Sequence, residues 1–97
     1  MVRKEKRYER ICGNKDAQNN VKFSDLKKLL ENYGFEFIRS RGSHYRYKGT
    51  IGDKTIYETI PRKTTVRRVY VKIACEHIDR MIEMTKDGEE ETEDNDS

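Results

Sequence analysis

The chain has 97 residues, 40% of them charged and 33% hydrophobic, with a single proline, which suits one small domain with a modest core, and a second domain is not expected. No apolar run approaches the ~20 residues of a membrane span, and the basic start Met1 to Arg10 lacks the apolar stretch of a secretory signal, so no membrane partner is expected and the cytoplasm is the expected location. The net charge of +3 is unevenly spread: the eleven residues from Asp87 to Ser97 hold seven of the 18 acids and none of the 21 bases, leaving the body with a surplus of ten positive charges. A body that basic attracts polyanions, and nucleic acid is the commonest such partner for a small domain.

Lys4 to Cys12 reads as a short basic helix with Tyr8, Ile11 and Cys12 as its apolar positions and Gly13-Asn14 as its stop. The polar stretch Asn14 to Asn20 reads as a loop. Phe23-Ser24-Asp25-Leu26 then opens a second helix, with Ser24 as N-cap and Asp25 in the first turn. Leu26, Leu29, Leu30 and Tyr33 fall at i, i+3, i+4 and i+7 and make one apolar face, against which Phe23 can staple. Gly34 ends this helix, and Phe35 to Arg39 follows as a strand whose alternation puts Phe35, Phe37 and Arg39 on one side.

Arg41-Gly42 reads as a hairpin turn into a second strand, His44 to Lys48, and Gly49 to Asp53 as a looser turn out of it. The third strand, Lys54 to Ile60, has Ile56 and Ile60 on one side and Tyr57 on the other, with its facing left ambiguous by Glu58; Pro61 ends it because it cannot donate a ladder hydrogen bond. From Thr65 onward Val66, Val69, Tyr70, Ile73, Ala74, His77, Ile78, Met81 and Ile82 trace a helical stripe, with Thr64 or Thr65 available as its cap. The resulting class is α+β: a three-stranded antiparallel sheet with two helices on one face, its other face open to solvent, and a short N-terminal helix in addition. The expected divisions are 1–22 for the N-terminal helix and loop, 23–86 for the folded domain, and 87–97 for a disordered acidic tail. That tail is a solubilising extension or, in a sharper reading, a competitor that folds back over the basic face. Cys12 and Cys75 lie far apart and form no CxxC or Cys/His pattern, so both read as reduced, Cys75 as a small helix residue near the core, with no zinc site and no cofactor expected.

The strand Gly42-Ser43-His44-Tyr45-Arg46-Tyr47-Lys48 carries the chemistry. Alternation points Tyr45 and Tyr47 to one face and His44, Arg46 and Lys48 to the other, so that one face packs a core while the other presents an imidazole between cations. Imidazole titrates near neutrality and can pass a proton to or from a hydroxyl while cations hold a phosphate. The plain alternative is a surface histidine on a basic strand. His77, on the apolar stripe of the last helix, reads as a core-edge histidine.

The element order and several short motifs together resemble the HicA family of toxin-antitoxin toxins. The resemblance runs from about Phe23 to Met81 and takes in Leu29-Leu30-Glu31-Asn32-Tyr33-Gly34-Phe35, Arg39 on the strand, Gly42-Ser43-His44 with Tyr47, and Ile60-Pro61-Arg62 closing the third strand. The chain departs from the family pattern in its short connection Arg62-Lys63-Thr64-Thr65. The resemblance implies a fold like the double-stranded RNA-binding domain (α-β-β-β-α), an mRNA interferase that cleaves RNA endonucleolytically without a metal, and a cognate HicB-like antitoxin protein as partner. In that picture His44 is the catalytic residue, able to supply either the base or the acid, and Arg39, Arg41, Arg46 and Lys48 hold phosphate, Arg39 being the weakest candidate because alternation puts it beside Phe35 and Phe37. Ser43, Arg62, Lys63, Arg67 and Arg68 complete the candidate RNA contacts, the last two on a basic helix edge that is otherwise a solvated face. The alternatives are a non-catalytic RNA-binding module of double-stranded-RNA-binding shape, and a protein whose basic face only docks an acidic partner.

Overall fold

The computed structural model describes the backbone of residues 4–96 and the side chains of 5–84; the tail expected at 87–97 lies outside these fully described residues. The elements run α1 (Lys4–Cys12), a 3-10 turn (Ala17–Asn20), β1 (Val21–Lys22), α2 (Phe23–Asn32), β2 (Glu36–Arg41), β3 (His44–Ile51), β4 (Lys54–Pro61), β5 (Thr65–Val66) and α3 (Arg68–Asp96). β2, β3 and β4 form one antiparallel sheet with β3 in the centre. The class is α+β with the expected α-β-β-β-α order and an added N-terminal helix.

Alternation along β3 divides the two faces. Tyr47 is fully buried and joins Leu26, Leu29 and Leu30 of α2, Val71, Ala74 and Ile78 of α3, and Ile60 of β4 in one core. Residues opposite one another in an antiparallel ladder share a face, so Tyr45 carries Ser40 and Ile60 with it, and Tyr47 carries Phe37 and Glu58. Glu58 therefore belongs to the inner face, between Ile56 and Ile60, which resolves the facing of β4. It is 5% exposed, and its Oε2 lies 2.6 Å from Nδ1 of His77 on α3. Burial raises the Glu58 carboxyl above its ordinary range, and the bond to His77 opposes that rise. His77 is thus a core-edge histidine with a structural partner, as its place on the apolar stripe implies.

Several local expectations give way to tertiary contacts. Ser24 is not the N-cap of α2: the helix starts at Phe23, whose N–H donates to the Thr64 carbonyl (3.2 Å) and whose ring packs edge-on to Tyr45 with centroids 5.3 Å apart. Thr65 and Val66 do not open α3 but pair as β5 with β1, Val21 facing Val66, and both valines are buried. A two-residue ladder is too short to carry a period, and its stability comes from the core beneath it. α3 is rotated relative to the expected stripe: Val71, Ala74, Cys75 and Ile78 are buried, whereas Val69 and Ile73 are 54% and 40% exposed. β3 continues past Lys48 to Ile51, and the turn into β4 is a tight pair, Gly52-Asp53.

The reading of both cysteines as reduced is overturned, because Cys12 of α1 and Cys75 of α3 form a disulfide across 63 residues, their Cα atoms 5.6 Å apart. Cys75 is nevertheless the near-core helix residue expected. Sequence spacing cannot report such a bridge, since only the docking of α1 on α3 brings the two together. Other contacts secure the same dock. Arg10 grips Asp25 of α2 with both guanidinium nitrogens, Arg7 donates to Asn32 (2.8 Å), and the Tyr8 hydroxyl donates to Asp79. The Arg10 contact holds the Asp25 carboxyl below its usual range, while burial followed by the Asp79 bond pushes the Tyr8 hydroxyl up to about 12.

On the chain-entropy model a bridge of this span stabilises the fold by about 4 kcal/mol. The denatured protein is expected to react with no thiol reagent before reduction and with two equivalents after it, and reduction is expected to lower the urea midpoint; two reactive thiols without reductant would contradict the bridge. Gly49 is the second test. A Cβ there would sit 2.7 Å from the Phe35 ring, which lies directly on the strand. Gly49→Ala is expected to cost about 1–3 kcal/mol by overpacking, read as a drop in the urea midpoint.

Candidate active site

The open face of the sheet is built by the β2–β3 hairpin. Gly42 and Ser43 are the two turn residues, and Gly42 has φ = 61°, the left-handed geometry that a tight hairpin turn asks of its first central residue when that residue is glycine. The turn sets Arg41 opposite His44, and one ladder position further in Ser40 opposite Tyr45.

Simple alternation fails on β2, and the failure matters. The register shifts between Phe37 and Arg39: Phe37 lies opposite Tyr47 and Arg39 opposite Arg46, so Ile38 is the extra residue of a bulge. Without the bulge Arg39 would share the inner face with Phe37. With it, Arg39 moves to the open face beside Arg46, and the expectation that Arg39 is the least well placed cation is corrected.

Arg39, Arg41, His44 and Arg46, together with Thr59 of β4, line one open depression of about 170 Å³. That is below the ~300–1,000 Å³ of pockets that enclose whole small molecules, so it fits one group of a chain lying across the surface. Three guanidiniums around an exposed imidazole give a strongly positive site, and each fork can make two parallel hydrogen bonds to phosphate oxygens. No carboxylate lines it. Among the described residues no group of three or more His, Cys, Asp or Glu is arranged to hold a metal ion.

The remaining candidates fall at varying distance from this centre. Lys48 is exposed on the same face, between Glu36 of β2 and Tyr57 of β4. Ser43 lies in the turn, and its carbonyl accepts the N–H of Arg62 (2.6 Å). Arg62 is turned away from His44, its guanidinium 5.7 Å from the centroid of the inward-facing Tyr45 ring. Lys63, Arg67 and Arg68 are exposed but do not line the depression. Thr59 was not singled out from the sequence. Its signal was present, since once Ile56 and Ile60 face inward the intervening Tyr57 and Thr59 must face out.

A family model, described as the HicA toxin of bacterial toxin-antitoxin systems, matches residues 23–78. The chain belongs to the HicA toxin family. The match covers α2, the three-stranded sheet and the start of α3, and so contains every residue of the depression; α1 lies outside it. No curated protein and no solved structure matches the chain. As a HicA toxin it has a cognate antitoxin as its partner, and no described helix is long and apolar enough to cross a membrane.

Anion binding tests the geometry by itself. Titration with inorganic phosphate is expected to shift the NMR resonances of His44, Arg39 and Arg46, with the Arg62 side chain unmoved and the shifts at His44 weakened in Arg39→Ala. Equal response of Arg62, or indifference to Arg39→Ala, would contradict the shared site.

Proposed function

We propose that this HicA toxin is a metal-independent endoribonuclease that cleaves mRNA in the cytoplasm, with His44 transferring a proton at the scissile phosphate. The observation that carries this reading is the register of the β2–β3 ladder, which sets three guanidiniums around one imidazole on the open face. In the proposed reaction the ribose 2′-hydroxyl attacks the adjacent phosphorus, the P–O5′ bond breaks, and a 2′,3′-cyclic phosphate and a 5′-hydroxyl are left. One proton leaves the 2′ oxygen and one arrives at O5′. His44 handles one of the two, a role worth about 10²- to 10⁴-fold in rate. Arg39, Arg41 and Arg46 stabilise the charge that grows on the non-bridging oxygens, which is the task a metal performs in other nucleases. Lys48 extends the positive track along the strand, and Ser43, Arg62, Lys63, Arg67 and Arg68 are left as outer contacts to the RNA backbone. A HicB-like antitoxin protein would silence the toxin by covering this face.

Purified protein is expected to cleave an end-labelled single-stranded RNA in EDTA and leave cyclic-phosphate ends, while His44→Ala, folded by circular dichroism, loses at least a hundredfold in rate. RNA that stays intact with the parent yet remains bound would replace the nuclease by a non-catalytic RNA-binding module.

A further inference from the structure

Tyr57 is the one phenylalanine or tyrosine that the described strands β2, β3 and β4 turn to the open face. Phe37, Tyr45 and Tyr47 all lie on the inner face, their rings in contact at centroid distances of 5.4 and 5.7 Å. Tyr57 lies on the other side, 49% exposed; Phe37, on the edge strand β2, is exposed to a similar extent, 48%, but on the inner side. The Arg46 guanidinium lies over its ring, 4.5 Å from the centroid, and Lys48 is its direct cross-strand neighbour. Arg46 is also a wall of the depression around His44, so the ring and the depression share a residue. Along β4, Thr59 lines the depression two positions after Tyr57, about 7 Å at the rise of a strand.

An aromatic ring flanked by two cations, next to a phosphate-sized depression, has the chemistry of a nucleobase platform. A base offers a flat π surface to the ring and to the guanidinium plane, and its own phosphates lie within reach of the cations. In a duplex that surface is already stacked, and A-form RNA is read by shape and backbone rather than by inserted aromatic rings. We infer that Tyr57 stacks an unpaired base of the RNA whose phosphate sits beside His44, so that the substrate of this face is single-stranded RNA. The inference rests on the RNA reading proposed above. Arg46 then has two partners, Tyr57 or the base on one side and phosphate on the other, and Tyr57 is a specificity-determining residue with no part in proton transfer.

The test is binding of a short single-stranded RNA whose 2′-hydroxyls are replaced by fluorine, so that it binds without being cleaved, together with a series carrying one abasic nucleotide at each position. Tyr57→Ala is expected to lose roughly 5- to 150-fold in affinity and Tyr57→Phe to stay near the parent. One abasic position should weaken the parent and Tyr57→Phe but have no effect in Tyr57→Ala, a coupling that loss of the Arg46 contact alone would not produce. Affinity of Tyr57→Ala within twofold of the parent, or the same abasic profile in both proteins, would overturn the inference and leave the nuclease proposal standing. A parent that binds none of these oligonucleotides would overturn both.

Discussion

Burial of Tyr47 beneath α2 and α3 sets the direction of every other side chain on the central strand. With that ring fully enclosed, a period of two leaves His44, Arg46 and Lys48 no choice but the open face, and the ladders on either side pass the same constraint to β2 and β4. The enclosure is tight enough that the Tyr47 hydroxyl has no hydrogen-bond partner among the described residues, and burial pushes its pKa up to about 12. A slip of one residue in β3 would exchange its two faces, sending Tyr45 and Tyr47 to water and His44, Arg46 and Lys48 into the core. The apolar gain from the inner face and the cost of burying charge from the outer one act in the same sense.

The site is an exception laid on that rule. A regular β2 with Phe37 on the inner face would turn both Arg39 and Arg41 toward the helices and leave the depression only Arg46 of β3. One extra residue at Ile38 converts this into a site with three guanidiniums, leaving Phe37 on the inner face and Ile38 42% exposed as the local cost. Bulges are common where a strand must re-aim a functional side chain. Gly42 serves the same end at the hairpin, and Gly49 lets Phe35 lie against the strand on the inner side.

α1 lies outside the span that the HicA family model matches, yet it is fastened to both core helices by chemistry of several kinds: the Cys12–Cys75 bridge, the two-pronged Arg10–Asp25 pair and the Tyr8–Asp79 bond. These contacts lie with the helices, on the opposite side of the sheet from His44. They enlarge a core that would otherwise be small for its length.

What the sequence determined by itself was the element order, the apolar face of α2, the two faces of β3 and the exposure of His44, because each follows from a period expressed over several consecutive residues. Tertiary structure alone decided the bulge at Ile38 that recruits Arg39, the inward turn of Glu58 toward His77, the start of α2 at Phe23, the β1–β5 pair, the rotation of α3 away from Val69 and Ile73, and the disulfide. Each of these depends on a partner distant in sequence: a ladder register set by the neighbouring strand, an imidazole 19 residues on, a carbonyl offered by Thr64, or a thiol 63 residues away. Local periodicity carries no record of such partners, since their energies arise only after the layers have packed.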